Sequence, residues 1–326
     1  MRDKVIRANL IRTIQENRLF TAKDHVLVAV SGGYDSMHLL EWLTDQSLPK
    51  DLQPKVSAAY INHQLRHDAA VEEQYVAAAF ERLDTRLMTT SIRRLTWEKV
   101  PKVGVEEQAR NKRYAALIEI AEQVGATIIV TAHHRADQVE TILYKLIRGS
   151  RLQQLMGMSM KKKLTSKISL VRPLLTLSKK ELPALVKEPL IDWIEDYTNQ
   201  DVTFARNQMR HDVLPALREI NQQADQHILD LADQLAGLRQ LVQPVLDEQT
   251  LALQAGHLNW QQADSALILI LQEWLTHQGV LDIKDRQLRQ VIKLMRNPNV
   301  AHGIVQLSNG YQLKRNKTEL ILLGNS

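Results

Sequence analysis

Residues 25–40, HVLVAVSGGYDSMHLL, constrain the fold more than any other stretch of the chain. Val26-Leu27-Val28-Ala29-Val30 is a short continuous apolar run, the pattern of a strand buried on both faces. From Ser36 to Trp42 the apolar residues recur at helical spacing. Between the two lies Ser31-Gly32-Gly33-Tyr34-Asp35-Ser36. A buried strand, a tight glycine turn and a helix start together form a site for phosphate. The turn aims successive backbone N–H groups at one point, and the helix N-terminus adds partial positive charge. Gly32 and Gly33 let the backbone approach an anion, and Ser31 and Ser36 offer hydroxyl donors. A carboxylate such as Asp35 beside phosphate calls for a bridging cation, which points to Mg²⁺. The loop is neither G-x-x-x-x-G-K-[ST] nor G-x-G-x-x-G.

The chain has 326 residues, enough for two domains, and no cysteine, which excludes disulfides, cysteine–zinc sites, iron–sulfur clusters and thiol catalysis. Residues 3–18 form an amphipathic pattern rather than a signal peptide, and no apolar run reaches membrane-spanning length. A cytoplasmic enzyme without a membrane partner is expected. Residues 219–326 hold 9 basic and 11 acidic side chains, whereas the whole chain has a net charge of +5. The excess positive charge therefore belongs to residues 1–218, where a polyanionic partner is plausible.

Strands are expected at Val56–Ile61, Arg86–Ile92 and Thr127–Thr131, and helices at 36–46, Asp68–Leu83, Val105–Val124 and Arg135–Arg148. Asp68 is the expected cap of its helix, and Gly125 stops the long one. Alternating strands and helices imply an α/β fold, a doubly wound, mainly parallel sheet. Its ligands lie beyond the C-terminal ends of the strands, where Ser31, Asn62 and His133 all fall. Lys161, Lys162, Lys163, Lys167 and Arg172 read as a basic, solvated loop. Ser178 caps a short helix over 179–187, and 203–218 is a further helix carrying Arg206, Asn207 and Arg210. The domain boundary is expected near 219. Residues 219–326 then read as a smaller helical and α+β domain: helices over 221–250, 261–277 and 284–296, then hairpins around Asn309-Gly310 and Asn316-Lys317. Lys314, Arg315 and Lys317 could form a local basic patch.

After the fourth strand comes Thr131-Ala132-His133-His134-Arg135-Ala136-Asp137-Gln138-Val139-Glu140-Thr141. Asp137 and Glu140 are i, i+3 at a helix start, as are His134 and Asp137, so they share a face toward the crevice. A carboxylate there holds Mg²⁺ or accepts a proton from an amine; the plainer reading is that both acids only complement the helix dipole.

The S-G-G-x-D-S loop after an apolar strand resembles the pyrophosphate loop of the N-type ATP pyrophosphatases. Taken in order with Asn62-His63-Gln64-Leu65-Arg66, Glu107-Gln108-Ala109-Arg110 with Arg113-Tyr114, His133–Thr141, Arg148-Gly149, Arg172-Pro173-Leu174-Leu175, Glu195-Asp196 with Asn199, and Arg206-Asn207 with Arg210, it resembles the tRNA(Ile)-lysidine synthetases. The motifs span roughly residues 26–215. Ala136 departs from the pattern, because many members carry a second acid before Asp137. Many members also have a further C-terminal domain, so a short or shortened member is expected.

The resemblance implies a two-step reaction. ATP adenylates the C2 oxygen of the wobble cytidine in a tRNA(Ile) with a CAU anticodon, releasing pyrophosphate; the amine of L-lysine then displaces AMP. By the same resemblance Ser31, Gly32, Gly33, Tyr34, Asp35, Ser36, Asn62, His63 and His133 hold ATP. Asp35 and Asp137 hold Mg²⁺; Asp35, Asp137, Glu140 and Arg206 carry the catalysis. Arg66, Arg110, Arg113, Lys161, Lys162, Lys163, Arg172, Asn207 and Arg210 face the tRNA or substrate, and residues 219–326 assist tRNA recognition. A homodimer is compatible with all of this. The rival readings are another tRNA modifier of the same loop class, such as a thiolase, which generally uses cysteines, and a non-catalytic tRNA-binding protein.

Overall fold

The computed structural model describes residues 2–65, 69–97, 104–149, 152–186, 188–194, 205–280 and 283–324. Two compact units divide between Asp233 and Gln234. That is later than the expected boundary near 219. The division falls inside one continuous helix, Ala224–Gln254, so no linker marks it in the composition.

The first unit is built on a six-stranded sheet: β1 (His25–Val30), β2 (Lys55–Asn62), β3 (Thr90–Arg94), β4 (Ile128–Val130), β5 (Lys161–Lys163) and β6 (Ser169–Val171), in the order β3-β2-β1-β4-β6-β5. All neighbours pair in parallel except β5 with β6. The residues of β1 alternate between two apolar layers. Val26, Val28 and Val30 pack with Met37, Leu39, Leu40 and Trp42, whereas Leu27 packs on the other face with Leu117, Ile120 and Ile129. That period-two division is why β1 reads as an unbroken apolar run: helices cover both its sides. The long helix Val105–Val124 ends on Gly125, whose φ of +73° only glycine adopts without strain.

Several expected elements differ. Beginning at Thr90, β3 follows a single 3₁₀ turn at Asp84–Arg86, instead of running from Arg86 to Ile92. It is an edge strand, and its charged end is tolerated because Arg94 pairs with Glu73 and Arg93 with Glu119. The basic segment after residue 160 is not a loop. Lys161–Lys163 is an exposed edge strand held by the buried Leu170 and Val171 of its hairpin partner. Lysines are a common way to guard such an edge. Ser178 does cap a short helix, a 3₁₀ segment at Lys179–Ala184 that contains Pro183. Past residue 204, Ala205–Gln208 and Leu214–Ile220 flank a wider π turn at Met209–Val213. Pro215 explains the widening, because its ring would collide with the carbonyl one turn earlier in a regular helix. Asp68, expected as a cap, lies outside the described residues.

The second unit packs helices Asp264–His277 and Asp285–Arg296 against an antiparallel sheet of β7 (His302–Gln306), β8 (Gln312–Asn316) and β9 (Glu319–Leu323). The expected basic patch is partly engaged: the Arg315 guanidinium donates to the carbonyls of Leu294, Asn297 and Lys317, closing a helix end. Among the described residues no helix is long and apolar enough to cross a membrane.

Candidate active site

In the first sheet β1 lies between β2 and β4, so the connections leave it in opposite directions. A crevice opens at such a switch point beyond the strand ends. Ser31 follows β1 there and Thr131 follows β4.

The loop after β1 is closed on itself by Ser36. Its Oγ accepts the Ser31 N–H at 3.0 Å, lies 3.1 Å from the Ser31 Oγ and donates to the Gly33 carbonyl at 3.0 Å. Gly32 sits at φ +78°, and a Cβ there would lie 3.3 Å from Val76 Cγ2 and 3.4 Å from Glu72 Oε1. Only glycine satisfies both conditions. Gly33 takes the N-cap position of helix Tyr34–Thr44. No side chain caps this terminus; the Ser36 and Met37 N–H groups donate to the Gly33 carbonyl, and the N–H groups before them are of the kind that receive an anion at a helix start.

On the opposite side, His134 caps helix Arg135–Ile147, and its N–H donates to Asp137 Oδ2 at 2.8 Å. The ring of His134 is buried between two acids: Nε2 is 3.5 Å from Asp35 Oδ2, and Nδ1 is 3.5 Å from Asp137 Oδ2. Burial opposes charge on His134, but the hydrogen bond to Asp35 and the charges of Asp137 and Asp35 outweigh it and raise its pKa. Burial likewise opposes charge on Asp35, yet His134, Lys179 and Arg210 hold it below the usual carboxylate range. Beside this pair, Arg210 grips Glu140 with two hydrogen bonds, Nε to Oε1 at 2.7 Å and Nη2 to Oε2 at 2.9 Å. The same Nη2 lies 3.6 Å from Asp137 Oδ1.

These contacts bring Ser31, Gly32, Gly33, Asp35, Ser36, Asp137, Glu140 and Arg210 together. Arg210, expected to face substrate, is committed to Glu140, and its pKa is raised chiefly by that hydrogen bond. Glu140 is thereby a paired, buried carboxylate, whereas Asp137 meets the same guanidinium only at 3.6 Å and is the more exposed of the two acids. Asn62 is buried, and its side chain holds its own turn, donating to Ala69 O and Glu73 Oε2 and accepting from Gln64 N–H. The His63 carbonyl accepts the Trp97 indole N–H, and His133 Nδ1 is 2.9 Å from Thr131 Oγ1. Tyr34 packs against His38 behind the loop.

Of the basic residues expected to meet tRNA or substrate, Arg110, Arg113 and Arg172 gather around Tyr114. Arg110 and Arg113 lie over the Tyr114 ring, at 5.0 and 5.6 Å from its centroid. Arg172 is buried and donates to Ser159 O; burial and the nearby Arg110 charge lower its pKa. Lys161, Lys162 and Lys163 are exposed. Asn207 lies in the helix Ala205–Gln208. Arg206 shares that helix, but its side chain, like Arg66, Glu195, Asp196 and Asn199, lies outside the described residues. Sequence reasoning placed His134 on the crevice face but gave it no role, and it missed Lys179 as a site residue. The signal for His134 was its i, i+3 spacing to Asp137; Lys179 carried none, because its nearness to Asp35 is purely tertiary.

Asp35 Oδ1 is buried without a hydrogen-bond partner, the kind of orphaned carboxylate oxygen a hard cation satisfies. Asp137 is less open to a cation, since both its oxygens face donors. Among the described residues no group of three or more His, Cys, Asp or Glu side chains is placed to hold a metal ion together.

A phosphate loop beside an acid-capped helix at the switch point of a parallel sheet defines a nucleotide-using α/β domain, and residues 4–217 match the family model described as a PP-loop domain. The chain is 32% identical over 319 residues to the tRNA(Ile)-lysidine synthase of Lactiplantibacillus plantarum, covering 94% of this chain and 68% of that protein. To the enzyme of the same name from Streptococcus equi subsp. equi it is 34% identical, covering 94% and 66%. For Enterococcus faecalis the figures are 32%, 91% and 65%. The chain thus belongs to the tRNA(Ile)-lysidine synthase family, and it spans about two thirds of the length of these relatives. Among solved structures, the U34-tRNA thiolase NcsA from Methanococcus maripaludis, with its [4Fe-4S] cluster, shares the fold. Its TM-score is 0.55 at 14% identity, over 72% of this chain and 79% of that one.

Proposed function

We propose that this chain ligates L-lysine to C2 of the wobble cytidine of a tRNA(Ile) with a CAU anticodon, using ATP and releasing pyrophosphate and AMP. The observation that carries the reading is the 3.5 Å approach of His134 to Asp35, which joins the phosphate loop to the acid-capped helix in one crevice. In the first step the cytidine O2 attacks the α-phosphorus of ATP and pyrophosphate leaves toward the loop. Gly33 and the first turn after it stabilise the departing charge through backbone N–H groups. Mg²⁺, held at Asp35, would neutralise part of that charge. In the second step the lysine amine attacks C2, the C2–O bond breaks, and AMP departs. The attacking amine must lose a proton, and Asp137, the more exposed of the two acids and without the bidentate partner that holds Glu140, would accept it.

Residues 1–218 would hold this catalysis, with residues 219–326 assisting tRNA recognition. Arg110, Arg113, Arg172, Arg206 and the Lys161–Lys163 edge would meet the RNA. A base splayed from the anticodon loop is the form such chemistry requires. The setting is the cytoplasm, with a homodimer the simplest higher assembly. A thiolase reading lacks support, since the chain has no cysteine to carry sulfur or a cluster.

The test is pyrophosphate release from ATP with an unmodified CAU-anticodon tRNA(Ile) transcript, with and without lysine, the nucleoside product read by mass. Lysine attached to cytidine is the expected result. Asp137→Asn should slow its formation by about 10²- to 10⁴-fold. Pyrophosphate release with no lysine adduct would remove the proposed nucleophile. No release with this tRNA would overturn the reading.

A further inference from the structure

Behind the phosphate loop runs a short segment, residues 188–194, without regular secondary structure. It touches the loop directly. The Ile194 N–H donates to the Gly32 carbonyl at 3.0 Å. In a planar trans peptide the carbonyl of one residue and the N–H of the next point in opposite directions. Fixing the Gly32 carbonyl toward Ile194 therefore turns the Gly33 N–H the other way, toward the anion site.

The rest of the segment is anchored to the two helices that frame Gly32. Trp193 meets Tyr34 edge-on, with ring centroids 4.7 Å apart and planes at 90°, and lies 5.2 Å from the His38 ring. The Leu190 N–H donates to Glu41, a carboxylate only 2% exposed on the same helix as Tyr34. Ile191 is buried in the apolar layer beneath. Arg82, at the end of helix Ala69–Arg82, reaches Asp192 at 3.5 Å. That helix carries Glu72 and Val76, the residues packed against Gly32.

We propose that Leu190–Ile194 is a positioning strap for the phosphate loop, with Trp193 and Glu41 as positioning residues that act through Tyr34 and the Gly32–Gly33 peptide. The proposal rests on the reading that this loop holds the ATP phosphates. Nothing in the strap touches the reacting atoms, so its loss weakens the grip on ATP and leaves lysine binding alone.

The experiment uses the full chain, with Trp193→Ala and Trp193→Phe compared with the parent for ATP binding at equilibrium and for KM and kcat in pyrophosphate release. An edge-on aromatic contact is worth up to about tenfold in affinity. Trp193→Ala should raise KM for ATP by roughly that factor, with kcat and the KM for lysine little changed. Trp193→Phe keeps an aromatic edge at the same place and should restore the parent KM. Because Trp193 is 36% exposed, the alanine variant should fold. Should it not, Glu41→Gln, which keeps an acceptor for Leu190, and Asp192→Ala, which frees Arg82, test the same strap. The first should stay near the parent KM, and the second should raise it. A parent that binds ATP beside variants that bind it equally well would overturn the strap alone. A parent that binds no ATP would overturn the loop reading and the strap with it.

Discussion

His134 Nε2 stands 3.5 Å from Asp35 Oδ2, so the cap of one helix and the first turn of another are joined across the crevice by an ion pair. The pair is charged on both sides only within a window of pH. The His134 pKa is raised, so its contribution is complete below about 6.5 and is lost as pH rises through its folded value. The Asp35 pKa is lowered, so its contribution is complete above about 3.8 and is lost as pH falls through its folded value. The parent should exceed His134→Gln in thermal stability most clearly near pH 5.5, by about 1–3 kcal/mol. The gap should narrow steadily above neutrality. Melting curves across pH 5 to 9, at intervals of about one unit, check it, and a gap independent of pH would refute the pairing.

Gly32→Ala should be costly in two ways. The left-handed φ of +78° costs an alanine about 1–2 kcal/mol, and the new Cβ crowds Val76 at 3.3 Å. Urea unfolding should show that loss, and pyrophosphate release should fall by up to about 10²-fold through misplacement of the loop. Gly33→Ala, whose Cβ would meet only Ser31 Oγ at 3.7 Å, should be milder in stability.

Arg210 and Glu140 should behave as a unit. Arg210→Met leaves a carboxylate that is 7% exposed without its bidentate partner, at a cost of about 2–4 kcal/mol. The open outer face of Arg210 keeps the figure at the lower part of what burial of both charges would give. Adding Glu140→Gln should recover much of the loss, and a double-mutant cycle by urea denaturation measures it.

The Lys161–Lys163 edge should bind RNA through charge alone. Replacing its three lysines with alanine should lower the slope of log affinity against log salt by about one unit per lysine that meets a phosphate. Filter binding of tRNA at several salt concentrations reads it. An unchanged slope would remove this edge from the interface.

The parts of the molecule legible in advance were those specified by neighbours in sequence. Strand, glycine turn and helix follow one another from His25 to Thr44, and each carries its own local signature. Val105–Val124 was equally plain, with a glycine at its end. Edges were harder. The charged Arg93 and Arg94 argue against a strand until Glu119 and Glu73 are seen beside them. The lysines of β5 read as loop because their apolar partners lie on the far arm of the hairpin. In the site, the acids of the helix after β4 were visible by spacing, but which of them was already occupied was not. Arg210 selects Glu140 from 70 residues away, and no local pattern encodes that choice. The hydrogen bond of Asn62 within its own turn was hidden for a different reason, since a polar residue past a strand end looks alike whether it serves a ligand or the backbone.

The central position of β1 also bears on how the chain acquires its site during synthesis. β1 pairs first with β2, a local neighbour, but its other flank stays open until β4 at Ile128 has emerged. Arg210 arrives later still. Until then the loop carries its glycines and hydroxyls without the wall that faces them, and long-range pairing of this kind is slow to form. A nascent chain that ends before Ile128 would already contain the S-G-G-Y-D-S segment but neither β4 nor the His134 and Asp137 that face it, so the loop is made well before the crevice can close around it.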